Sequence, residues 1–327
     1  MTVLLALDAG GTSTRCVVVT PAGECVGYGR DGSGNPVSVG VDAAGRSAAA
    51  SAAAALGAAG VDPADVEGVT LAAAGVSAQT PLEELGRPLR DLGITASPVF
   101  RSDLLATFFA GTYRDTGYAL VAGTGAAAVR VEGGEVTATA DGLGWLLGDD
   151  GSGFWIGRRV VRAALADLDR RGAPTALTAM LLRELGLDGP APRSRDGRAE
   201  ALWRSVDALY AMRPVELARF ARLAFEADGD EEADAIVAAA EDALVHTLGA
   251  VALPGVRGPV VLGGGTVALR RTLPGRIAAR AGDGEPPEVR AVTDGVVGAV
   301  VLALRDAGTV VDAAVFGTVT GTLATLR

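Results

Sequence analysis

Lysine is absent from this chain, since all 29 basic residues among its 327 are arginine. A Walker A loop needs a lysine at the nucleotide phosphates, a protein kinase needs one on a strand of its small lobe, and a pyridoxal phosphate enzyme needs one for its Schiff base. The sequence therefore excludes these three kinds of site.

Histidine and cysteine are almost as scarce. His246 is the only histidine, and its place in an alanine-rich helical stretch favours a structural residue over a triad or a metal ligand. The two cysteines, Cys16 and Cys25, fall in a predicted strand pair, at a spacing typical of neither a zinc knuckle nor a disulfide framework. We expect two buried, free thiols.

Positive charge is outweighed throughout. The chain carries 39 acidic residues and a formal net charge of −10, and no basic run interrupts the pattern. Such a surface repels nucleic acid and anionic membrane, and we expect neither a signal peptide nor a membrane-spanning segment. We predict a cytoplasmic protein that binds small molecules and no nucleic acid or membrane.

The length is typical of two domains, and the pattern of strands and turns suggests an internal duplication. Residues 5–29 are predicted as strand, glycine turn, strand, turn and strand, and residues 118–142 repeat that order. Helices are predicted over 42–59, 81–93, 104–111 and 294–308, and from about 154 to 250 with a polar break near 188–198. Further strands are predicted at 68–76, 98–103 and 258–267, with a β-type tail over 309–327.

Three glycine turns directly follow apolar strands, namely Gly10-Gly11-Thr12, Gly123-Thr124-Gly125 and Gly263-Gly264-Gly265. Glycine permits positive φ and close approach to a ligand, and consecutive free N–H groups form an anion-binding nest. Any one of them alone is typical of a tight turn. The three together favour a nucleotide phosphate site.

Two aspartates stand at the ends of predicted strands, where a carboxylate can have either a chemical or a structural role. Asp8 precedes the first glycine turn, so its carboxylate is either a Mg²⁺ ligand beside phosphates or a turn residue that caps its own backbone. Asp103 follows a short strand, so it is either a general base that accepts a substrate proton or a helix N-cap together with Ser102. The residues alone leave both alternatives open.

Polar groups suited to a polyol lie in two loops. The stretch 142–153 combines Gly142 and Gly144 with Asp149 and is typical of a clamp over sugar hydroxyls, with a surface lid as the alternative. Asn35 offers an amide that both donates and accepts, although asparagine is also common in ordinary turns.

Together these segments resemble the N-acetylglucosamine kinase branch of the BadF/BadG/BcrA/BcrD ATPases, within the actin, Hsp70 and sugar kinase superfamily. LALDAGGTSTRCVVV is similar to the first phosphate motif, RSDLLATFFAG to the segment of the catalytic aspartate, and VAGTGAAAV to the second phosphate motif. GLGWLLGDDGSGFWIG resembles the sugar-binding loop, VVLGGGTV the adenosine motif and DGVVGAVVLAL the closing helix.

The resemblance implies an α/β fold: a two-lobed actin-like ATPase of ribonuclease H-like type, with duplicated mixed sheets and an interdomain nucleotide cleft. It implies a small lobe over 1–113 and a large lobe over 114–293, with 294–327 packing back on the small lobe. It also implies ATP and Mg²⁺ as cofactors, a sugar substrate and a homodimer.

The resemblance further implies phosphorylation of the 6-hydroxyl of N-acetylglucosamine or a close hexosamine. Asp103 would be the base and Asp8 would lie at the metal. The nucleotide would contact Gly10, Gly11, Thr12, Gly123, Thr124, Gly125, Gly264 and Gly265. The sugar would contact Asn35, Asp103, Gly142, Gly144 and Asp149.

Departures from the family pattern leave the substrate open. Ala126 and Ala127 stand where many relatives have polar residues, and Leu143 lies between the glycines of the loop with Trp145 after them. Glucosamine or glucose therefore remain alternative substrates. Two further interpretations of the chain are a non-catalytic sugar or nucleotide sensor and an iron–sulfur ATPase activator of a dehydratase.

Overall fold

The computed structural model describes residues 2–76, 79–187, 197–270, 272–279 and 286–327. Within them the chain forms two five-stranded mixed sheets with the same strand topology. This confirms the α/β fold and the duplication expected from the sequence.

The first sheet consists of the N-terminal meander and two later strands. The strands are β1 (Val3–Ala9), β2 (Thr14–Val19), β3 (Cys25–Asp31), β4 (Val66–Ala73) and β5 (Pro98–Ser102). β1, β2 and β3 pair antiparallel, β4 pairs parallel with β1, and β5 pairs parallel with β4, in the order β3-β2-β1-β4-β5. Apart from Asp8, β1 is apolar because its two faces pack into two different cores.

Four helices follow within this first part. They are α1 (Pro36–Val39), α2 (Val41–Ala59), α3 (Leu82–Asp91) and α4 (Asp103–Gly111). α2 packs closely on β3, where a Cβ on Gly27 or Gly29 would lie only 2.2 or 2.1 Å from a backbone carbonyl oxygen of α2. The alanine-rich helix and the glycines of the strand therefore fit one another.

The second sheet repeats the arrangement of the first. Its strands are β6 (Gly117–Ala122), β7 (Ala126–Glu132), β8 (Glu135–Asp141), β9 (Val260–Gly263) and β10 (Val289–Ala291). β6, β7 and β8 form the antiparallel meander, and β9 and β10 add parallel strands in the order β10-β9-β6-β7-β8.

A helical region lies between the meander and β9, as predicted. It contains α5 (Gly153–Leu168), α6 (Ala176–Glu184), α7 (Glu200–Tyr210), α8 (Ala221–Glu226) and α9 (Glu231–Val251), with a 3-10 helix over Pro214–Phe220. α10 (Leu273–Ala279) follows β9. Most of the polar break predicted at 188–198 lies outside the described residues.

The chain then returns to the first sheet. α11 (Val296–Asp306) packs against α4 and against β1 and β4. The fit depends on Gly298, where a Cβ would lie 1.7 Å from the carbonyl oxygen of Ala106. Residues of α4, α11 and both sheets share one apolar core, so this helix pair joins the two halves.

The predicted β-type tail over 309–327 is wrong, because residues Ala313–Ala324 form the helix α12. Asp312 caps it, with Oδ1 accepting from the N–H groups of Ala314 and Val315 at 2.9 Å each. α12 then covers the edge strand β3, where the Thr322 hydroxyl accepts the N–H of Cys25 at 3.0 Å. Tertiary packing thus overrides the strand propensity of a segment rich in valine and threonine.

Candidate functional site

The carboxyl ends of the parallel strands of the first sheet meet at one edge. Ala9, Ala73 and Ser102 are in register across β1, β4 and β5. Asp8 and Asp103 therefore reach this edge two strands apart, roughly 10 Å at the usual strand spacing. The fold brings together the carboxylates predicted for the metal and for proton transfer.

Asp103 is the first residue of α4, and the cap belongs to its neighbour. The Ser102 hydroxyl oxygen accepts the N–H of Leu104 at 3.2 Å, so the predicted capping role falls to Ser102. Burial raises the pKa of Asp103, and the backbone N–H groups of Leu104 and Asp103 partly offset that rise. A raised pKa brings a carboxylate closer to the range suited to proton transfer.

Asp8 is 7% exposed and shares its Oδ2 between two donors. Oδ2 accepts from the N–H of Gly295 at 3.1 Å and lies 3.4 Å from Nη1 of Arg15. Burial raises the pKa of Asp8 to about 6, with Arg15 lowering it and the charges of Asp294 and Asp103 raising it. The site edge thus holds an excess of negative charge.

Asp294 is a site residue that the sequence reasoning missed. Its Oδ2 lies 3.6 Å from Nε of Arg15, and its Oδ1 lies 2.9 Å from Nη2 of Arg327. Asp8, Arg15, Asp294 and Arg327 therefore form a chain of alternating charges. Asp294 follows β10 of the second sheet, yet its neighbour Gly295 bonds to Asp8 of the first. The Asp-Gly pair ahead of the closing helix was the available signal.

The first and second glycine turns face open space. A Cβ on Gly11 or Gly123 would meet no described atom within 4 Å, and Thr12 and Thr124 are exposed. Gly10 is fixed to the segment after β3, because its carbonyl accepts the N–H of Gly34 at 3.0 Å. These turns are anchored at the base and accessible at the tip, as a phosphate cradle requires.

The third glycine turn packs against the second. Gly264 has φ +98°, and a Cβ there would lie 2.4 Å from the carbonyl oxygen of Ala122. Thr266 donates its N–H to the same carbonyl at 3.1 Å. Gly265 is open, with no described atom within 4 Å of an added Cβ. The predicted phosphate and adenosine motifs are therefore adjacent.

The loop 142–153 is held from both sides. Asp141 accepts the N–H groups of Asp149 and Asp150 at 2.7 and 2.9 Å, and Asp149 accepts the N–H of Ala126 at 3.1 Å. Gly153 donates its N–H to the carbonyl of Gly123 at 2.8 Å. The loop that resembles a sugar clamp is thus fastened to the second glycine turn.

Several loop residues adopt left-handed backbone. Gly142 and Gly144 have φ of +74° and +85°, as glycine permits, but Asp141 and Asp149 also have φ of +62° and +59°. Asp149 is 8% exposed, and burial raises its pKa. Sequence reasoning missed Asp141, although an aspartate before a glycine turn was its visible signal.

Asn35 caps a short helix. Its Oδ1 accepts from the N–H groups of Val37 and Ser38 at 2.9 and 3.3 Å. It lies against the turn after β4, since a Cβ on Gly75 would be 2.4 Å from that oxygen. The sequence offered both a turn role and a sugar role, and the turn role is visible in these contacts.

The carboxylates of this edge fit a magnesium ion that is bound mainly by phosphates and water. No cluster of three or more His, Cys, Asp or Glu side chains that could hold a metal occurs within the described ranges. Magnesium in phosphoryl-transfer sites usually takes one or two carboxylates with phosphates and water. A single carboxylate at Asp8, beside two further negative charges, fits that mode.

The two cysteines and the histidine take no part in the site contacts described above. Cys16 and Cys25 are free and buried, as predicted, and burial raises the pKa of both thiols. His246 is exposed on α9. None of the described helices is both long and apolar enough to cross a bilayer.

Comparison with known proteins gives a consistent result. A family model described as the BadF/BadG/BcrA/BcrD ATPase family matches residues 5–303. An N-acetyl-D-glucosamine kinase of Dictyostelium discoideum is 26% identical over 194 residues, or 57% of this chain and 61% of that protein. An N-acetylmuramic acid/N-acetylglucosamine kinase of Clostridium acetobutylicum is 26% identical over 123 residues, or 38% and 40%.

The match therefore covers less than two thirds of the length of these curated relatives. In a structural comparison, a candidate N-acetylglucosamine kinase from Chromobacterium violaceum superimposes with a TM-score of 0.71 at 22% identity. The superposition covers 93% of this chain and 99% of that one. It confirms the two-lobed fold.

Proposed function

Because this chain belongs to the BadF/BadG/BcrA/BcrD ATPase family, we propose that it is an ATP-dependent kinase of the 6-hydroxyl of N-acetylglucosamine or a close hexosamine. The observation that carries the proposal is the shared strand edge with Asp8 and Asp103, at which the first glycine turn directly follows β1. Glucosamine and glucose are the alternative acceptors.

In this proposal Asp103 removes the proton of the acceptor hydroxyl as the phosphoryl group arrives. Its half-buried position and raised pKa support that role. Magnesium, when bound with ATP, would neutralise charge on the transferring phosphoryl group, and Asp8 is the residue that would hold it. Phosphoryl transfer depends mainly on such positioning and charge neutralisation.

The other residues of the proposal divide between nucleotide and sugar. Backbone N–H groups of the first two turns bind the phosphates, and Gly264 with Gly265 flank the adenosine. Asn35, Gly142, Gly144 and Asp149 bind the sugar. Because the loop 142–153 is bonded to the second turn through Gly153 and Gly123, sugar and nucleotide contacts are mechanically linked.

The lobe boundaries belong to the same proposal. We propose a small lobe over 1–113, a large lobe over 114–293, and a return of 294–327 to the small lobe, supported by the packing of α11 on β1 and β4. Domain closure about this division would exclude water from the reacting groups.

The test is release of ADP from ATP and Mg²⁺ with N-acetylglucosamine, glucosamine, glucose and N-acetylmannosamine in parallel. Asp103→Asn should lower kcat by roughly 10²- to 10⁴-fold, the usual contribution of a general base. The matched control is Asp207→Asn on the exposed side of α7, which should leave kcat unchanged. Normal turnover by Asp103→Asn would remove Asp103 from the mechanism.

Two different functions would give different results in this assay. A sensor binds sugar and nucleotide without sugar-stimulated release of ADP. A dehydratase activator needs an iron–sulfur cluster on accessible cysteines, whereas Cys16 and Cys25 are buried. The kinase is favoured because Asp103 is not used as the helix cap.

A further inference from the structure

The exposed face of α5 carries three arginines beside the loop 142–153. Arg158, Arg159 and Arg162 are exposed, and the spacing of four places Arg158 and Arg162 on one side of the helix. None of the three forms an ion pair with another described residue, whereas Arg87, Arg101, Arg130 and Arg222 do. In a chain of net charge −10 this is a local excess of positive charge.

These arginines line a cavity of about 670 Å³. The loop segment 145–148 forms one wall, α5 forms another, and Glu232 and Ile236 of α9 contribute as well. Arg171, just after α5, adds a fourth guanidinium, and Asp150 adds a second carboxylate. The volume is ample for a small organic molecule.

The charge balance of the lining indicates an anionic ligand. Arg171 is ion-paired with Asp169, which leaves Arg158, Arg159 and Arg162 against the two carboxylates of the lining, those of Asp150 and Glu232. The planar guanidinium matches phosphate oxygens with paired N–H donors, so three arginines without ion pairs suit a phosphate ester. Arg159 also stacks on Trp155, with its Cζ 3.8 Å from the ring centroid, and this contact leaves the N–H groups at the edge of its plane free to donate. The carboxylates are acceptors for hydroxyl groups of the same ligand.

The apolar part of the lining indicates a ring. Trp145 is 41% exposed and meets Phe154 edge to face at a centroid distance of 5.5 Å. Leu146 and Leu147, in the same segment, are 74% and 77% exposed. The indole offers a flat surface to a ring, while the arginine face offers donors to an anion. Inorganic phosphate would leave this apolar wall uncovered.

We propose that this cavity binds a sugar phosphate, with the phosphate on Arg158, Arg159 and Arg162 and the ring against Trp145. The regulatory part rests on the proposed kinase function, because the ligand class is that of the reaction product. Trp145 and Asp150 line the cavity, but Asp149 between them bonds to Ala126 at the second phosphate turn. A ligand in the cavity therefore fixes the conformation of the loop 142–153, and the proposed kinase needs the same loop to bind its acceptor sugar.

The binding test uses glucosamine 6-phosphate, with ADP and inorganic phosphate as comparison probes. Titration calorimetry is run on protein whose cleft is filled with N-acetylglucosamine and a non-hydrolysable ATP analogue. The double variant Arg159→Gln/Arg162→Gln should weaken binding of the sugar phosphate at least tenfold. The charge-matched control Arg46→Gln/Arg204→Gln, at exposed positions of α2 and α7, should not.

The single variant Arg158→Gln repeats the test if the double variant fails to fold, as judged by circular dichroism. Unchanged binding in the arginine variants, or no binding by the wild type, would overturn the proposal. Binding of ADP or inorganic phosphate as tight as that of the sugar phosphate would overturn the ligand class.

A kinetic test separates this proposal from the kinase proposal. The arginine double variant should keep basal turnover and lose inhibition by added sugar phosphate at saturating acceptor. Absence of any kinase activity would leave the calorimetric result standing and defeat only the proposed function. Normal turnover with unaltered inhibition in the double variant would refute only the proposed sugar-phosphate site.

Discussion

The carboxylate of Asp141, just before the glycine-rich loop 142–153, accepts the backbone N–H of Asp149 within that loop at 2.7 Å. The second oxygen of Asp141 accepts the N–H of Asp150 at 2.9 Å. Asp149 in turn accepts the N–H of Ala126, the first residue of β7 after the second glycine turn, at 3.1 Å. One carboxylate thereby sets the shape of the loop, and the next fastens it to the sheet.

Asp141→Asn tests this arrangement without disturbing the left-handed backbone, which asparagine tolerates. The amide keeps one acceptor oxygen, so one loop N–H loses its partner at a typical cost of about 0.5–1.5 kcal/mol. We expect KM for the sugar to rise roughly 3- to 10-fold while KM for ATP changes little. Steady-state kinetics measure both KM values, with Asp91→Asn on α3 as the control. An equal rise in KM for sugar and for ATP would refute the prediction.

Arg270 is buried beside the same loop and is only partly satisfied. Its Nη2 donates to the carbonyl of Gly151, while Nε and Nη1 have no hydrogen-bond partner among the described residues. Burial lowers the pKa of Arg270 to about 10. The side chain holds the end of the loop and carries a costly buried charge.

Arg270→Met should therefore separate stability from binding. Replacing an incompletely paired buried charge with an apolar side chain is often neutral or stabilising, whereas losing the bond to Gly151 loosens the loop. We expect an unchanged or higher Tm and a higher KM for the sugar. Calorimetric melting and kinetics together check this, and a much lower Tm with an unchanged KM would make Arg270 purely structural.

Asp8 makes the stability of the metal-free protein depend on pH. Its pKa is about 6 in the folded protein and lies near the ordinary value of 3.8 in the unfolded chain, so the folded state binds the extra proton between these values. The stabilisation by that proton is complete below pH 4 and is lost as pH rises through 6. At neutral pH the carboxylate costs on the order of 2–3 kcal/mol.

Asp8→Asn should therefore melt higher than the wild type at pH 7.5, and the difference should shrink as pH falls to 4. Thermal melts in a chelating buffer at several pH values measure this, with Asp91→Asn as the exposed control. A constant difference across the range would show that the carboxylate of Asp8 is not the titrating group.

The two thiols should be unreactive in the folded protein. Burial raises the pKa of Cys25 to about 11 and that of Cys16 still further, so thiolate is scarce at pH 8. An aromatic disulfide reagent should label neither thiol until denaturant unfolds the chain, and then both. Rapid labelling of one cysteine under native conditions would mean that its strand opens locally.

The candidate site was predictable where local sequence carries the signal. The glycine turns, the loop 142–153 and the strand-end aspartates Asp8 and Asp103 could be found because each lies next to an apolar strand. Asp141 and Asp294 each precede a glycine, yet that local signal does not identify their partners, and Arg270 has no such signal. Their roles depend on partners distant in sequence or on backbone bonds across a loop, as in the contact of Asp8 with Gly295.

By itself the sequence determined the alternation of strands and helices, the repeated meander and the exclusion of lysine-dependent sites, because strand periodicity and residue type act over short distances. The tertiary structure alone decided which carboxylates share an edge, that Ser102 caps α4, and that the tail over 313–324 is a helix. It decided them because sheet register, burial and long-range packing bring together residues such as Cys25 and Thr322 that no local pattern connects.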